Sequence, residues 1–107
     1  MKRGDLYRVY KPAGDENNFR VFAVVSRQAL IDSRFPTLVC ARVYTRAEGL
    51  STQVPVGIEQ GLKHSSWILC DDLASVHKSR LTHFVGSLSP SKTRELDRAL
   101  AIAIGLR

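Results

Sequence analysis

The 107-residue chain is expected to fold as a small, mainly β barrel with one α-helix packed on it. Three observations predict this. Most of the chain reads as short alternating or wholly apolar segments. The connections between them carry turn-forming residues. Helical periodicity over a long stretch appears once, at the end of the chain, which suits a single closing helix.

The strands follow in order. Asp5–Lys11 alternates, with Leu6, Arg8 and Tyr10 on one face and Tyr7 and Val9 on the other. Pro12 to Asn18 is a polar turn-rich loop. Val21–Val25 is continuously apolar, as a strand buried on both faces would be. Arg27–Ser33 is long enough for one or two helical turns before Pro36. Thr37–Tyr44 is rich in β-branched and apolar residues, and Val54–Val56 is an edge strand because of Pro55. Trp67–Cys70, Leu73–Val76 and Leu81–Val85 complete the set. The connections Arg46–Gln53 and Gly57–Ser66 are long for hairpin loops, and long loops on a small barrel are usual places for a binding site.

The helix is expected over about 90–104. Ser89 supplies an N-cap and Pro90 a first helical residue. Leu96, Ala99, Leu100 and Ala103 recur at i, i+3, i+4 and i+7, and Gly105 ends the helix. Ile102 and Ile104 widen the apolar face, so this helix meets either more of the barrel or a partner surface.

Composition narrows the function. Hydrophobic residues are 44% and charged residues 24%, the balance of an ordered globular domain. The length suits one domain, residues 1–107, and no apolar run approaches the roughly 18 residues of a membrane span. The charged N-terminus has no signal-peptide apolar core. A multidomain enzyme, a membrane protein and a secreted disulfide scaffold are therefore excluded, and a cytoplasmic location is expected. Cys40 and Cys70 lie in apolar stretches and read as buried free thiols. No CxxC or Cys/His cluster has metal-ligand spacing, so neither a metal site nor a cofactor is expected.

Sixteen Lys and Arg oppose ten Asp and Glu, for a net charge of +6. Five arginines (Arg20, Arg27, Arg34, Arg42 and Arg46) fall in a segment whose only acid is Asp32. Guanidinium forks match phosphate oxygens, so this density points to a polyanion such as nucleic acid; the plain alternative is a basic, solvated surface. Phosphate-loop, dinucleotide, zinc-protease and serine-hydrolase signatures are missing, and His64, His77 and His83 are scattered and read as structural or solvated.

Five segments carry a resemblance. Arg3-Gly4-Asp5-Leu6-Tyr7, then Gly14-Asp15-Glu16 with Arg20 and the strand ending Val24-Val25-Ser26, then Thr37–Thr45, then Gly61–Asp71 reading GLKHSSWILCD, then Ser75–Leu81 reading SVHKSRL, stand in this order. Together they resemble the MazF/PemK-type toxin ribonucleases over about residues 2–106. The resemblance implies an SH3-like barrel, a homodimer, a cognate antitoxin, and metal-independent cleavage of single-stranded RNA. In that chemistry the ribose 2′-OH attacks the adjacent phosphate and leaves a 2′,3′-cyclic phosphate and a 5′-OH.

By the same resemblance, Arg20 matches the arginine that stabilises the phosphorane and shares in proton transfer. Thr45 matches a phosphate-binding threonine, although one extra residue after Pro36 leaves Tyr44 and Arg46 as alternatives for that slot. Glu16 matches a substrate-loop glutamate, and Asp71 an aspartate that is a base in some members and structural in others. Phe19, Arg27, Arg42 and Arg46 are the expected RNA-binding residues, with Phe19 as the stacking ring. Trp67, which opens an apolar strand, is assigned to the core. Val21 stands where the family has proline, Asp72 where it commonly has glutamine, and Leu69 where one subgroup has a catalytic arginine. The antitoxin would be an acidic peptide lying along the basic groove. Rival readings are a non-catalytic toxin of the same fold that binds a protein such as gyrase, and an RNA binder that does not cut.

Overall fold

The computed structural model describes residues 1–11 and 18–107. Six strands form one antiparallel sheet: β1 (Asp5–Tyr10), β2 (Phe19–Val24), β3 (Thr37–Tyr44), β4 (Gln53–Val56), β5 (Ser66–His77) and β6 (His83–Ser87). Their order is β4-β5-β3-β2-β1-β6, and the sheet curls into a half-barrel. A short helix α1 (Gln28–Ile31) follows β2, and the terminal helix α2 (Pro90–Ala103) packs on the sheet. Both helices fall within their expected segments.

Curling buries both faces. Leu6, Ala23, Ala41 and Ile68 point toward α2 and meet its Leu96 and Ala99. Tyr7, Val9, Phe22, Val24, Leu38 and Cys40 form a second cluster on the opposite face, closed by Ile31, Val76 and Leu81. The apolar run of β2 is explained by this: successive residues feed two different cores.

Three expectations are corrected. Trp67, assigned to the core, is only partly buried and joins neither core cluster among the described residues. Trp67–Cys70 and Leu73–Val76 are one continuous strand of 12 residues, β5. The acidic pair Asp71-Asp72 does not end it. It sits at an irregularity where Ala41 faces Leu73 but Arg42 already faces Leu69, so Cys70, Asp71 and Asp72 bulge out of register with β3. The last strand is His83–Ser87 rather than Leu81–Val85, because Leu81 ends a 3-10 turn (Lys78–Arg80) and is buried there instead.

The two sheet edges meet without a ladder. The 3-10 turn Ile58–Gln60 after β4 seats on β6, and Gly61 and Gly86 make the approach possible. A Cβ on Gly61 would overlap the Val85 carbonyl, and one on Gly86 would overlap the Gln60 carbonyl. Gly61 also has φ +90°, a conformation that favours glycine. The buried Gln60 is satisfied, its Oε1 accepting from Gly57 N at 2.7 Å.

Helix α2 starts as its sequence predicts. Ser89 Oγ accepts from Lys92 N at 3.2 Å, Pro90 occupies the first turn, and Gly105 with φ +78° follows the end. Arg3 pins the chain start to it through Asp97 at 2.6 Å. Ile102 and Ile104 stay exposed, so the barrel does not cover the wider apolar face.

Candidate functional site

The site is built where β2 begins and β3 ends. Side chains alternate, and the ladder places Tyr10 beside Phe19, Arg8 and Val43 beside Val21, and Arg42 beside Phe22. Arg8, Tyr10, Phe19, Val21 and Val43 therefore share the α2-facing side of the sheet. Arg20, Phe22, Arg42 and Tyr44 share the other.

On the first side lies a cavity of about 420 Å³. Its lining includes the polar Arg8, Lys63, His64 and Thr45 and the aliphatic Val21, Val43, Leu62 and Val85. The Arg8 guanidinium carbon lies 4.9 Å from the centroid of Phe19. Tyr10 packs on Phe19 at 5.4 Å and edge-on to His83 at 4.6 Å. A cation over a ring of this kind is attracted by the ring quadrupole.

A smaller hollow of about 260 Å³ wraps the open end of the β2–β3 pair. Arg20, Thr45, Arg42, Tyr44 and Phe19 line it. Arg20 and Thr45 thus border one depression although they leave the sheet on different sides, and Thr45 and Phe19 border both cavities.

Electrostatics on the Arg20 side are shaped by Asp72. Its Oδ1 accepts from Arg42 Nη1 and its Oδ2 from the Tyr44 hydroxyl, each at 3.2 Å. Arg42 also lies 5.6 Å from the Phe22 ring, and among the described residues its buried Nε has no hydrogen-bond partner. Asp71 points elsewhere: its Oδ2 accepts from Thr52 Oγ1 at 2.6 Å, and it lines neither cavity among the described residues.

The expected residues are therefore partly gathered. Phe19, Arg20, Arg42 and Thr45 converge. Arg46 is exposed and follows Thr45 directly. Arg27 directly precedes α1, beyond the far end of β2, and a six-residue strand spans about 20 Å. Glu16 lies outside the described residues. Sequence reasoning missed Arg8, Lys63 and His64 on the cavity wall, and Asp72 beside Arg42. Alternation along β1 already put Arg8 on the Tyr10 face; what lay across from that face depended on strand register. The tyrosine of the alternatives to Thr45, Tyr44, stands on the Arg20 side with its hydroxyl on Asp72.

The thiols stand apart from this site. Burial pushes Cys40 up to about 12, and burial followed by the nearby Asp71 charge pushes Cys70 up to about 11. The Tyr7 phenol is raised by burial and then by Asp5. Among the described residues no three His, Cys, Asp or Glu side chains gather to hold a metal ion, and no helix is long and apolar enough to cross a membrane.

Residues 2–104 match the family described as the PemK-like, MazF-like toxins of type II toxin–antitoxin systems. Solved structures share the fold. An endoribonuclease from a mycobacterial species, solved with its cognate antitoxin, superposes with TM-score 0.84 at 24% identity over 100% of this chain and 97% of that one. The Mycobacterium tuberculosis toxin MazF-mt6 gives 0.82 at 22% identity over 96% and 98%. MazF in a MazE–MazF complex from Deinococcus radiodurans gives 0.77 at 21% identity over 98% and 95%.

Proposed function

The chain belongs to the PemK-like, MazF-like toxins of type II toxin–antitoxin systems, and we propose that it is a sequence-selective endoribonuclease that cuts single-stranded RNA in the cytoplasm without a metal ion. The observation that carries this reading is Arg20 and Thr45 bordering one hollow at the open end of β2 and β3. A permanently charged guanidinium and a hydroxyl on one depression suit a phosphate gaining negative charge.

The reaction is transesterification. A base takes the 2′ proton, the 2′ oxygen bonds to phosphorus, and the bond from phosphorus to the 5′ oxygen breaks. The leaving oxygen takes up a proton and departs as a 5′-OH, while the other fragment ends in a 2′,3′-cyclic phosphate. Arg20 stabilises the phosphorane and shares in proton transfer, and Thr45 bonds the scissile phosphate. Glu16 is the candidate base or hydrogen-bond partner on the substrate loop. Asp71, held by Thr52, is better suited to fixing the β5 bulge than to meeting the phosphate. Phe19 stacks a base beside the scissile bond, Arg42 and Arg46 extend the basic track, and Arg27 touches RNA only where the strand runs past α1.

The active form is a homodimer, and an antitoxin with an acidic segment occupies the same basic track to block RNA. Structural neighbours solved with antitoxins support an antitoxin as the partner. The experiment is cleavage of a long single-stranded RNA by the wild type and by Arg20→Ala. Loss of about a hundredfold in rate, roughly 3 kcal/mol, is expected for removing one charge-stabilising group. A folded Arg20→Ala protein that cuts at the wild-type rate would remove Arg20 from this role.

A further inference from the structure

The 420 Å³ cavity beside Phe19 has a composition that the cleavage reaction alone does not require. Its size is within the roughly 300–1,000 Å³ of small-molecule pockets. Four aliphatic side chains (Val21, Val43, Leu62 and Val85) line it, a poor surface for a phosphate and a good one for a flat heterocycle. Arg8 and Lys63, the basic side chains on its wall, bring hydrogen-bond donors.

Arg8 is held from two sides. Its backbone is locked in β1 between Val21 on β2 and His83 on β6. Its guanidinium lies against Phe19, and that ring is itself backed by Tyr10. A guanidinium whose position is set by a ring loses little freedom when its fork engages a ligand edge. Two base edges offer adjacent acceptors to such a fork, the O6/N7 edge of guanine and, in an unpaired strand, the O2/N3 edge of cytosine. The larger purine covers more of a lining with four aliphatic side chains. Adenine presents an amino donor at the equivalent position and would meet donors with a donor.

We propose that this cavity is a guanine subsite of the RNA track, in which Arg8 is the specificity-determining residue, reading O6 and N7 while the aliphatic lining carries the base. The inference rests on the ribonuclease reading above and names one base that the RNA track reads.

The test uses hexamer RNAs with 2′-fluoro sugars, which lack the attacking hydroxyl, and measures binding by fluorescence anisotropy at one fixed salt concentration. Five probes are uridine hexamers carrying a single guanine, inosine, 7-deazaguanine, adenine or cytosine. Guanine and inosine, which share O6 and N7, are expected to bind alike. Adenine, cytosine and 7-deazaguanine, which lacks N7, are expected to bind tenfold or more weaker. Arg8→Met, which keeps the apolar stem without the fork, is expected to bring all five together.

Equal binding of the five probes by the wild type, with a uniform loss in Arg8→Met, would mean a phosphate contact and overturn the guanine assignment. A guanine preference that persists in Arg8→Met would overturn Arg8 as its reader. Cleavage of long RNA by the same preparation separates the two levels. Cleavage with equal probe affinities overturns this inference alone. No cleavage with no binding of any probe overturns both it and the ribonuclease reading.

Discussion

Arg42 and Asp72 form an ion pair of 3.2 Å on the same side of the sheet as Arg20, so the neighbouring arginine is already matched by a carboxylate before any RNA arrives. Both side chains remain about one-third exposed, and a pair in that setting is worth about 0–1 kcal/mol. It is weak enough for a phosphate to displace.

Asp72→Asn keeps an acceptor for Tyr44 and removes the competing charge. The variant is expected to bind single-stranded RNA several-fold tighter than the wild type. The slope of log K against log salt should steepen by about 0.7, the value for one further phosphate on a single strand. Unchanged affinity and slope would place Arg42 off the RNA path.

Thr45 borders both cavities, whereas the Tyr44 hydroxyl is engaged by Asp72. Thr45→Ala is expected to lower cleavage by roughly tenfold, about 1.4 kcal/mol for one hydrogen bond to a charged group. Thr45→Ser should restore most of it, and Tyr44→Phe should change it little. Single-turnover rates on one defined RNA decide the matter; a large loss in Tyr44→Phe with none in Thr45→Ala would move the role to Tyr44.

Cys40 is fully buried, and burial lifts its thiol from an ordinary 9.0 to about 12. The folded state therefore holds this proton where the unfolded chain has lost it. Its stabilising effect is complete below about pH 9 and is lost as pH rises toward 12. Stability measured by urea unfolding should fall across that window, and Cys40→Ala, whatever its cost at neutral pH, should show a shallower fall. Equal alkaline slopes in the two proteins would contradict the assignment. At pH 8 the native thiol should also resist iodoacetamide, since the thiolate is the reactive form.

Gly86 lets β6 approach the turn that follows β4, and a Cβ there would overlap the Gln60 backbone. Gly86→Ala is expected to cost about 1–3 kcal/mol as an overpacked contact. Gly57→Ala, whose added carbon would meet Ser65 Cα at 3.9 Å, should cost much less. Urea midpoints of the two variants test the closure directly; equal midpoints would mean that the edges do not need this contact.

Most of the architecture was legible because local patterns and burial agree. Leu38 and Cys40 alternate with exposed Val39, and Ser89-Pro90 with the Leu96 and Ala99 spacing sets α2. Trp67–Cys70 and Leu73–Val76 read as two strands because Asp71 and Asp72 interrupt the apolar pattern between them. A bulge instead lets each acid find its own partner, Thr52 for one and Arg42 with Tyr44 for the other. The meeting of Arg20, Thr45 and Phe19 at one hollow was legible as a placement, since one strand starts and another stops there. Lys63, His64 and the neighbourhood of Arg8 were not, since the closing of the β4 turn onto β6 brings them to one cavity, and that contact has no local signature.

The most direct test of the account is end-group analysis of the fragments from a long single-stranded RNA incubated with the purified protein in EDTA. Discrete fragments carrying 2′,3′-cyclic phosphate and 5′-OH ends are expected, formed at the same rate with or without the chelator and about a hundredfold more slowly with Arg20→Ala. Cleavage that stops in EDTA and returns with Mg²⁺, or fragments bearing 5′-phosphates, would contradict it.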